Sequence, residues 1–247
     1  MKFLLIFLTS TICLLKLDAK SIMVPQIVKC DSNACLYSFM NVNGESISIP
    51  ADKTHLSIDL GDWEKFNASI IQCQNEGKLS NIRFFKGSLQ YIEGTLPKTV
   101  QNITFQTPRF HLLPVAWLRT VEELQTLELI DNQVQLFMDK VDLSSMLNLK
   151  VIRLASSQIK SVGQVDLPKS LMVFDLADNQ NLTNIDNIVK LMPKNGRIGV
   201  PAETFECSCL MSKHQKENGL TFFYAGSVNR AEKQIDCPEQ PKTSTQC

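Results

Sequence analysis

The stretch LQTLELIDNQV, residues 124–134, decides the fold. It places Leu124, Leu127 and Leu129 on one apolar pattern, sets Asn132 after them and closes with Val134. The same pattern, L-x-x-L-x-L-x-x-N-x-L, returns downstream. LKVIRLASSQI (149–159) carries Ser157 in the Asn position. LMVFDLADNQNL (171–182) carries Asn179 there, with one extra residue before Leu182. Upstream, LSNIRFFKGSL (79–89) and VQNITFQTPRF (100–110) keep the apolar positions and lose the Asn, with Gly87 and Pro108 in its place. The central apolar pair makes the spacing visible: Leu56/Ile58, Ile82/Phe84, Ile103/Phe105, Leu127/Leu129, Ile152/Leu154, Phe174/Leu176 and Ile198/Val200. Successive steps are 26, 21, 24, 25, 22 and 24 residues.

An apolar-x-apolar triplet is a short strand whose alternate residues point one way. One such unit cannot bury its apolar side alone, so stacked neighbours bury it together. The expected fold is therefore an α/β solenoid, curved, with a parallel sheet on its inner face. The Asn position normally supplies an amide to backbone groups of the turn. Pro108 has no such group, so its turn must be satisfied otherwise.

Composition narrows the function. Lys plus Arg equals Asp plus Glu at 25 each, which argues against a surface built for nucleic acid or an anionic membrane. The N-terminus reads as a secretory leader: Lys2, an apolar run from Phe3 to Leu15, and small Ala19 at a cleavage point before Lys20. An uncleaved anchor is the alternative, but about 13 apolar residues are few for a span. No second apolar run is long enough to cross a bilayer, and the tail PEQPKTSTQC is polar. Cys13 lies in the leader. The other seven cysteines cluster at the two ends, as Cys30, Cys35 and Cys73, then Cys207, Cys209, Cys237 and Cys247. This suits disulfide-stapled caps in an oxidising compartment. Three glycosylation sequons, at Asn67, Asn102 and Asn181, point the same way. The expected localisation is secreted and extracellular.

The C-terminal cysteines carry a resemblance. C-x-C at Cys207 and Cys209 is followed by 27 residues, Cys237, nine more residues and Cys247, with Phe205 before the first cysteine. This order closely resembles the cysteine-rich C-terminal flank of extracellular leucine-rich-repeat proteins. The whole mature chain resembles that superfamily, and its loose repeats, its C-x4-C start at Cys30 and Cys35 and its short length look most like small arthropod immune members. The resemblance implies a leucine-rich-repeat horseshoe with disulfide caps, and pairing of Cys207 with Cys237 and of Cys209 with Cys247. Its layout would be a signal peptide over 1–19, an N-terminal cap over 20–52, about six repeats over 53–196, and a last strand with the C-terminal cap over 197–247. Some relatives carry a coiled coil; none follows the repeats as far as Cys247, so assembly through one is not expected. A zinc site of four cysteines is the rival reading, disfavoured in an exported chain. At the other end the choices stay open. Cys30 and Cys35 close a loop and leave Cys73 as a buried thiol or a link to a partner chain, or Cys73 pairs with one of them.

Residues between the inward apolar positions face outward. They are Arg83, Phe85 and Lys86; Thr104 and Gln106; Glu128, Ile130 and Asp131; Arg153; Asp175 and Asp178. The face reads as basic near Arg83 and acidic near Asp175. Arg83, Phe85, Glu128, Ile130, Arg153 and Asp175 are the candidate binding residues, since aromatic and Arg side chains favour anchoring. A glycan on Asn102 would shield the middle of this face. His55, His111 and His214 sit in different units without a catalytic motif, so no enzyme, metal or cofactor is expected. The expected function is protein–protein recognition in innate immunity or extracellular signalling, through a protein ligand or co-receptor. The alternative is a structural matrix or adhesion component.

Overall fold

The computed structural model describes residues 26–30, 32–38, 47–60, 65–73, 77–87, 89, 91–106, 113–131, 141–155, 159, 162–201, 205–225 and 232–238. The leader, Pro108, His111, Asn132, Ser157 and Cys247 lie outside them.

One eleven-stranded sheet organises these residues. Nine strands run parallel and pair in chain order: Ala34–Ser38, His55–Asp59, Asn81–Phe85, Asn102–Gln106, Thr126–Ile130, Val151–Ala155, Val173–Asp175, Arg197–Gly199 and Thr221–Ala225. Gln26–Cys30 and Glu232–Ile235 add an antiparallel strand at either edge. The sheet is thus mixed, mostly parallel, and open at both edges rather than closed into a barrel.

The apolar pairs of the sequence become two straight rows. Leu56, Ile82, Ile103, Leu127, Ile152, Phe174 and Ile198 are successive Cα partners across the sheet. Ile58, Phe84, Phe105, Leu129 and Leu154 form the second row. Both rows are buried. Each of these side chains contributes roughly 1.5–3 kcal/mol by leaving water. The sheet also extends into both segments read as caps: Cys35 continues the first row before Leu56, and Phe222 continues it after Ile198.

The chain returns to the next strand through short elements. Parallel pairs join Ile47–Ile49 with Ile71–Cys73, Lys65–Asn67 with Tyr91–Glu93, and Val141–Asp142 with Val165–Asp166. The helices among the described residues are Val115–Leu118, Asp186–Leu191, Cys209–Asn218 and a 3-10 turn at Ala68–Ile70. Aromatic rings fill the space between sheet and returns. Phe84 stacks on Phe105 at 5.2 Å and meets Phe66 and Trp117 edge-on. Trp117 Nε1 donates to the Gly94 carbonyl at 3.0 Å, so its polar edge is satisfied as well.

Asn179 shows why the Asn position matters. The side chain is fully buried. Its Nδ2 donates to the carbonyls of Leu154 (2.6 Å), Leu176 (2.8 Å) and Ala177 (3.2 Å). Its Oδ1 accepts from the Ile159 amide at 3.1 Å. One amide thereby ties its own turn to the preceding one. Buried backbone groups without such partners are costly, which gives the residue its place.

At the C-terminal end, Ser208 caps the Cys209–Asn218 helix by accepting from the Met211 amide at 3.2 Å, and it donates to Asp186 at 2.8 Å. Gly219 ends the helix at φ 66°, where a side chain would also collide with Asn195 Oδ1. Cys207 and Cys237 are disulfide-bonded with Cα atoms 5.5 Å apart, the pair the resemblance implies. Closing a loop of 30 residues contributes about 3–4 kcal/mol.

Candidate binding surface

The outward side of the parallel sheet brings most of the candidate residues together. One row reads Ser57, Arg83, Thr104, Glu128, Arg153, Asp175, Gly199, Phe223 in successive Cα register. Beside it run Asp59, Phe85, Gln106, Ile130 and Ala155. Period-two alternation puts both rows opposite the buried apolar ones.

The centre of the first row is a linked polar chain. Thr104 Oγ1 donates to Glu128 Oε2 at 3.1 Å. Arg153 Nη1 pairs with Glu128 Oε1, and Arg153 Nε pairs with Asp175 Oδ2 at 3.1 Å. A guanidinium fork between two carboxylates is held in one geometry, which lowers the ordering cost of using it in recognition. Arg83 and Phe85 form a second group. Arg83 pairs with Gln106, and the Arg83 and Lys86 cations lie 5.9 and 5.4 Å from the Phe85 ring centroid. Lys86 Nζ also meets Asp59 at 2.7 Å.

Asp175 departs from the sequence expectation. It belongs to the outward row but is only 6% exposed. Its Oδ1 accepts from the Ala177 amide at 3.0 Å. Gly199, its neighbour in register, makes room, for a Cβ there would collide with Asp175 Oδ1. Asp175 therefore orients Arg153 from below and offers little surface of its own. Alternation gives the side a residue faces, not the cover its neighbours provide.

Three features went unread in the sequence. Phe223 is also on the outward row yet only 3% exposed, with the Arg197 guanidinium 4.8 Å above its ring and Arg197 paired with Glu232. Its signal was the aromatic run at 222–224 in a segment read as cap. Lys86, Asp131 and Asp178 share a left-handed backbone at φ 58°, 54° and 64°, a conformation Asp adopts more readily than Lys. Asn102 Nδ2 donates to Asn81 Oδ1 at 2.8 Å, joining two strands. That last bond uses the nitrogen a glycan would occupy, on a half-buried side chain, whereas Asn67 and Asn181 are exposed.

The histidines are dispersed. His55 bonds Thr54 Oγ1 at 2.8 Å, and His214 lies 2.7 Å from Asn218 on the last helix. Cys35 and Cys209 are disulfide-bonded, and the backbone register sets Cys30 opposite Cys35. Cys73 carries a free thiol, so the arrangement that pairs it with Cys30 or Cys35 is not the one found. It is half-buried against the core, and burial pushes its pKa up. A raised pKa means less thiolate at neutral pH. Maleimide labelling of Cys73 should run several-fold slower than that of free cysteine at neutral pH. It should rise with pH to an inflection above the ordinary thiol value. Labelling as fast as free cysteine would contradict its burial.

No protein-family model matches this chain, and no curated protein matches it in sequence. No helix among the described residues is long and apolar enough to cross a membrane. The functional reading therefore rests on the geometry of the sheet and its outward face.

Proposed function

We propose that the chain is a secreted leucine-rich-repeat protein, coiled as a curved solenoid, which recognises a protein partner with the outward face of its sheet. Asn179 is the observation that carries the repeat reading, because one buried amide serves two successive turns at the position the repeat pattern reserves for it. The in-register rows at the repeat spacing add to it. The Cys207–Cys237 bridge suits an oxidising compartment. Recognition is favoured over catalysis by the character of the face, where an arginine clamped between carboxylates lies beside an aromatic flanked by cations. Innate immunity or extracellular signalling is the setting this reading suits, with a ligand or co-receptor as partner.

Immobilised protein from a secretory host, exposed to extracellular fluid of its source, tests this. The wild type should retain a partner that Arg153→Ala and Phe85→Ala each lose by tenfold or more. Truncating one member of a paired charge cluster costs about 2–5 kcal/mol at an interface. Lys190→Ala, on the exposed side of the Asp186–Leu191 helix, should retain it. The same proteins on all four chains would overturn the reading.

A further inference from the structure

Tyr91 is one of the large apolar side chains that stand exposed among the described residues, and it shares its place with a sequon. The short strands Lys65–Asn67 and Tyr91–Glu93 pair in parallel on the return side, with Lys65 opposite Tyr91 and Asn67 opposite Glu93. Phe66 and Ile92 are buried beneath them, so alternation puts Lys65, Asn67, Tyr91 and Glu93 together on the outer side of this pair. A strand spacing of about 4.8 Å and two residues of about 3.3 Å set the Asn67 and Tyr91 backbones about 8 Å apart.

Asn67 opens the sequon Asn67-Ala68-Ser69. Its Oδ1 accepts from the Ser69 N–H at 3.0 Å, which fixes oxygen and not nitrogen at that place. Ser69 Oγ in turn accepts from the Thr95 N–H at 2.9 Å. Gly94, at φ 77°, backs onto both side chains, and a Cβ there would collide with Asn67 Oδ1 and Ser69 Oγ. Oδ1 is thereby held toward the C-terminal end of the strand pair. Nδ2 lies on the other side of the same planar group, at the exposed surface and toward the end where Tyr91 lies. Asn102 is the contrast, with its Nδ2 donating to Asn81 from a half-buried side chain.

We propose that Asn67 carries an N-linked oligosaccharide whose first sugar lies against the Tyr91 ring; the proposal rests on the reading of the chain as secreted. The donor is an oligosaccharide joined to a lipid through a diphosphate, and the catalyst is the transferase of the secretory compartment. Nδ2 forms a bond to the anomeric carbon, and the bond from that carbon to the diphosphate oxygen breaks. The lipid diphosphate leaves with the electron pair, and the nitrogen gives up one proton. Nδ2 keeps its second hydrogen and Oδ1 keeps the Ser69 N–H, so the folded turn accepts the product unchanged. The flat side of a sugar presents C–H groups, and the face of an aromatic ring is negative, so the two attract. A sugar there also covers apolar surface that Tyr91 leaves to water. The glycan shields the return side, across the core from the sheet face proposed to meet the partner, and leaves that face open.

Expression of the full chain, with its own leader, in a eukaryotic secretory host tests this. Release of glycans by amidase in heavy-oxygen water, followed by peptide mapping, marks every Asn that carried one. Asn67 should be marked. Asn67→Gln and Ser69→Ala should each lack the mass of one glycan, and Ser69→Thr should retain it. Hydroxyl-radical footprinting of the folded wild type, before and after release, reads where the sugar lies. Tyr91 should oxidise several-fold faster once the glycan is gone, and Leu191 should not change. This comparison needs no variant, so a substitution that fails to fold leaves it intact. A secreted chain with Asn67 unmarked overturns the proposal and leaves secretion standing. Asn67 marked with Tyr91 oxidation unchanged overturns the contact with Tyr91. A chain kept inside the cell, with its leader uncleaved and no glycan, overturns secretion and the proposal with it.

Discussion

Replacing Asn179 by Ala should lower the stability of the fold by about 3–4 kcal/mol. The side chain is buried and serves three carbonyls and one amide across two turns. Each buried group left without a partner costs roughly 1–3 kcal/mol, and a water entering the vacated space recovers part of that. The loss is local in cause and wide in effect, because the turn after Val173–Asp175 is joined through this amide to the one after Val151–Ala155. Urea unfolding followed by circular dichroism should show a lower midpoint with an unchanged slope. Asn179→Asp should cost a similar amount, since a carboxylate cannot donate to the carbonyls. A change below about 1 kcal/mol in both variants would mean that the turns are held by other means.

Phe84→Ala should cost about 3–5 kcal/mol, the range of buried Phe truncations. Phe84 is fully buried, and its ring touches those of Phe66, Phe105 and Trp117. No single neighbour can fill the space, because Phe105 is fixed by its strand and Trp117 by its bond to Gly94. Phe84→Leu should lose markedly less. Thermal unfolding of the pair checks both, and equal midpoints for Ala and Leu would contradict the packing described. In contrast, Phe85→Ala, one residue along on the outward side, should change stability little while removing partner binding.

Much of the sheet was legible before any coordinates. The residues from Leu56 to Ile198 that recur at 21–26 residue steps are the ones in register. The reason is physical: a row of apolar side chains must coincide for any of them to be buried. Cys35 and Phe222 occupy the same row, but both lie in segments whose cysteines marked them as caps, so their strands were not read. The return segments were less legible still. Their strands are two or three residues long, too short for a period to register. For the outward face, alternation placed Arg83, Phe85, Glu128, Ile130 and Arg153 on the correct side. It said nothing about depth. Asp175 is covered because Gly199 lets it lie close to the sheet and Arg153 closes over it, and both facts belong to neighbours 22 and 24 residues away. The left-handed backbone at Lys86 was likewise hidden, because lysine is a residue type that seldom adopts it.

Recognition, as proposed, occurs on the outward face of the sheet. Hydroxyl-radical footprinting of the protein, free and in complex with whatever chain it binds, reads side chains directly. Phe85 and Ile130 should be protected on binding. Tyr91, on the Tyr91–Glu93 strand of the return side, and Leu191, on the Asp186–Leu191 helix, are exposed apolar residues that serve as internal controls and should oxidise equally in both states. Protection of Tyr91 or Leu191 with Phe85 and Ile130 unchanged would place the partner elsewhere and contradict the account.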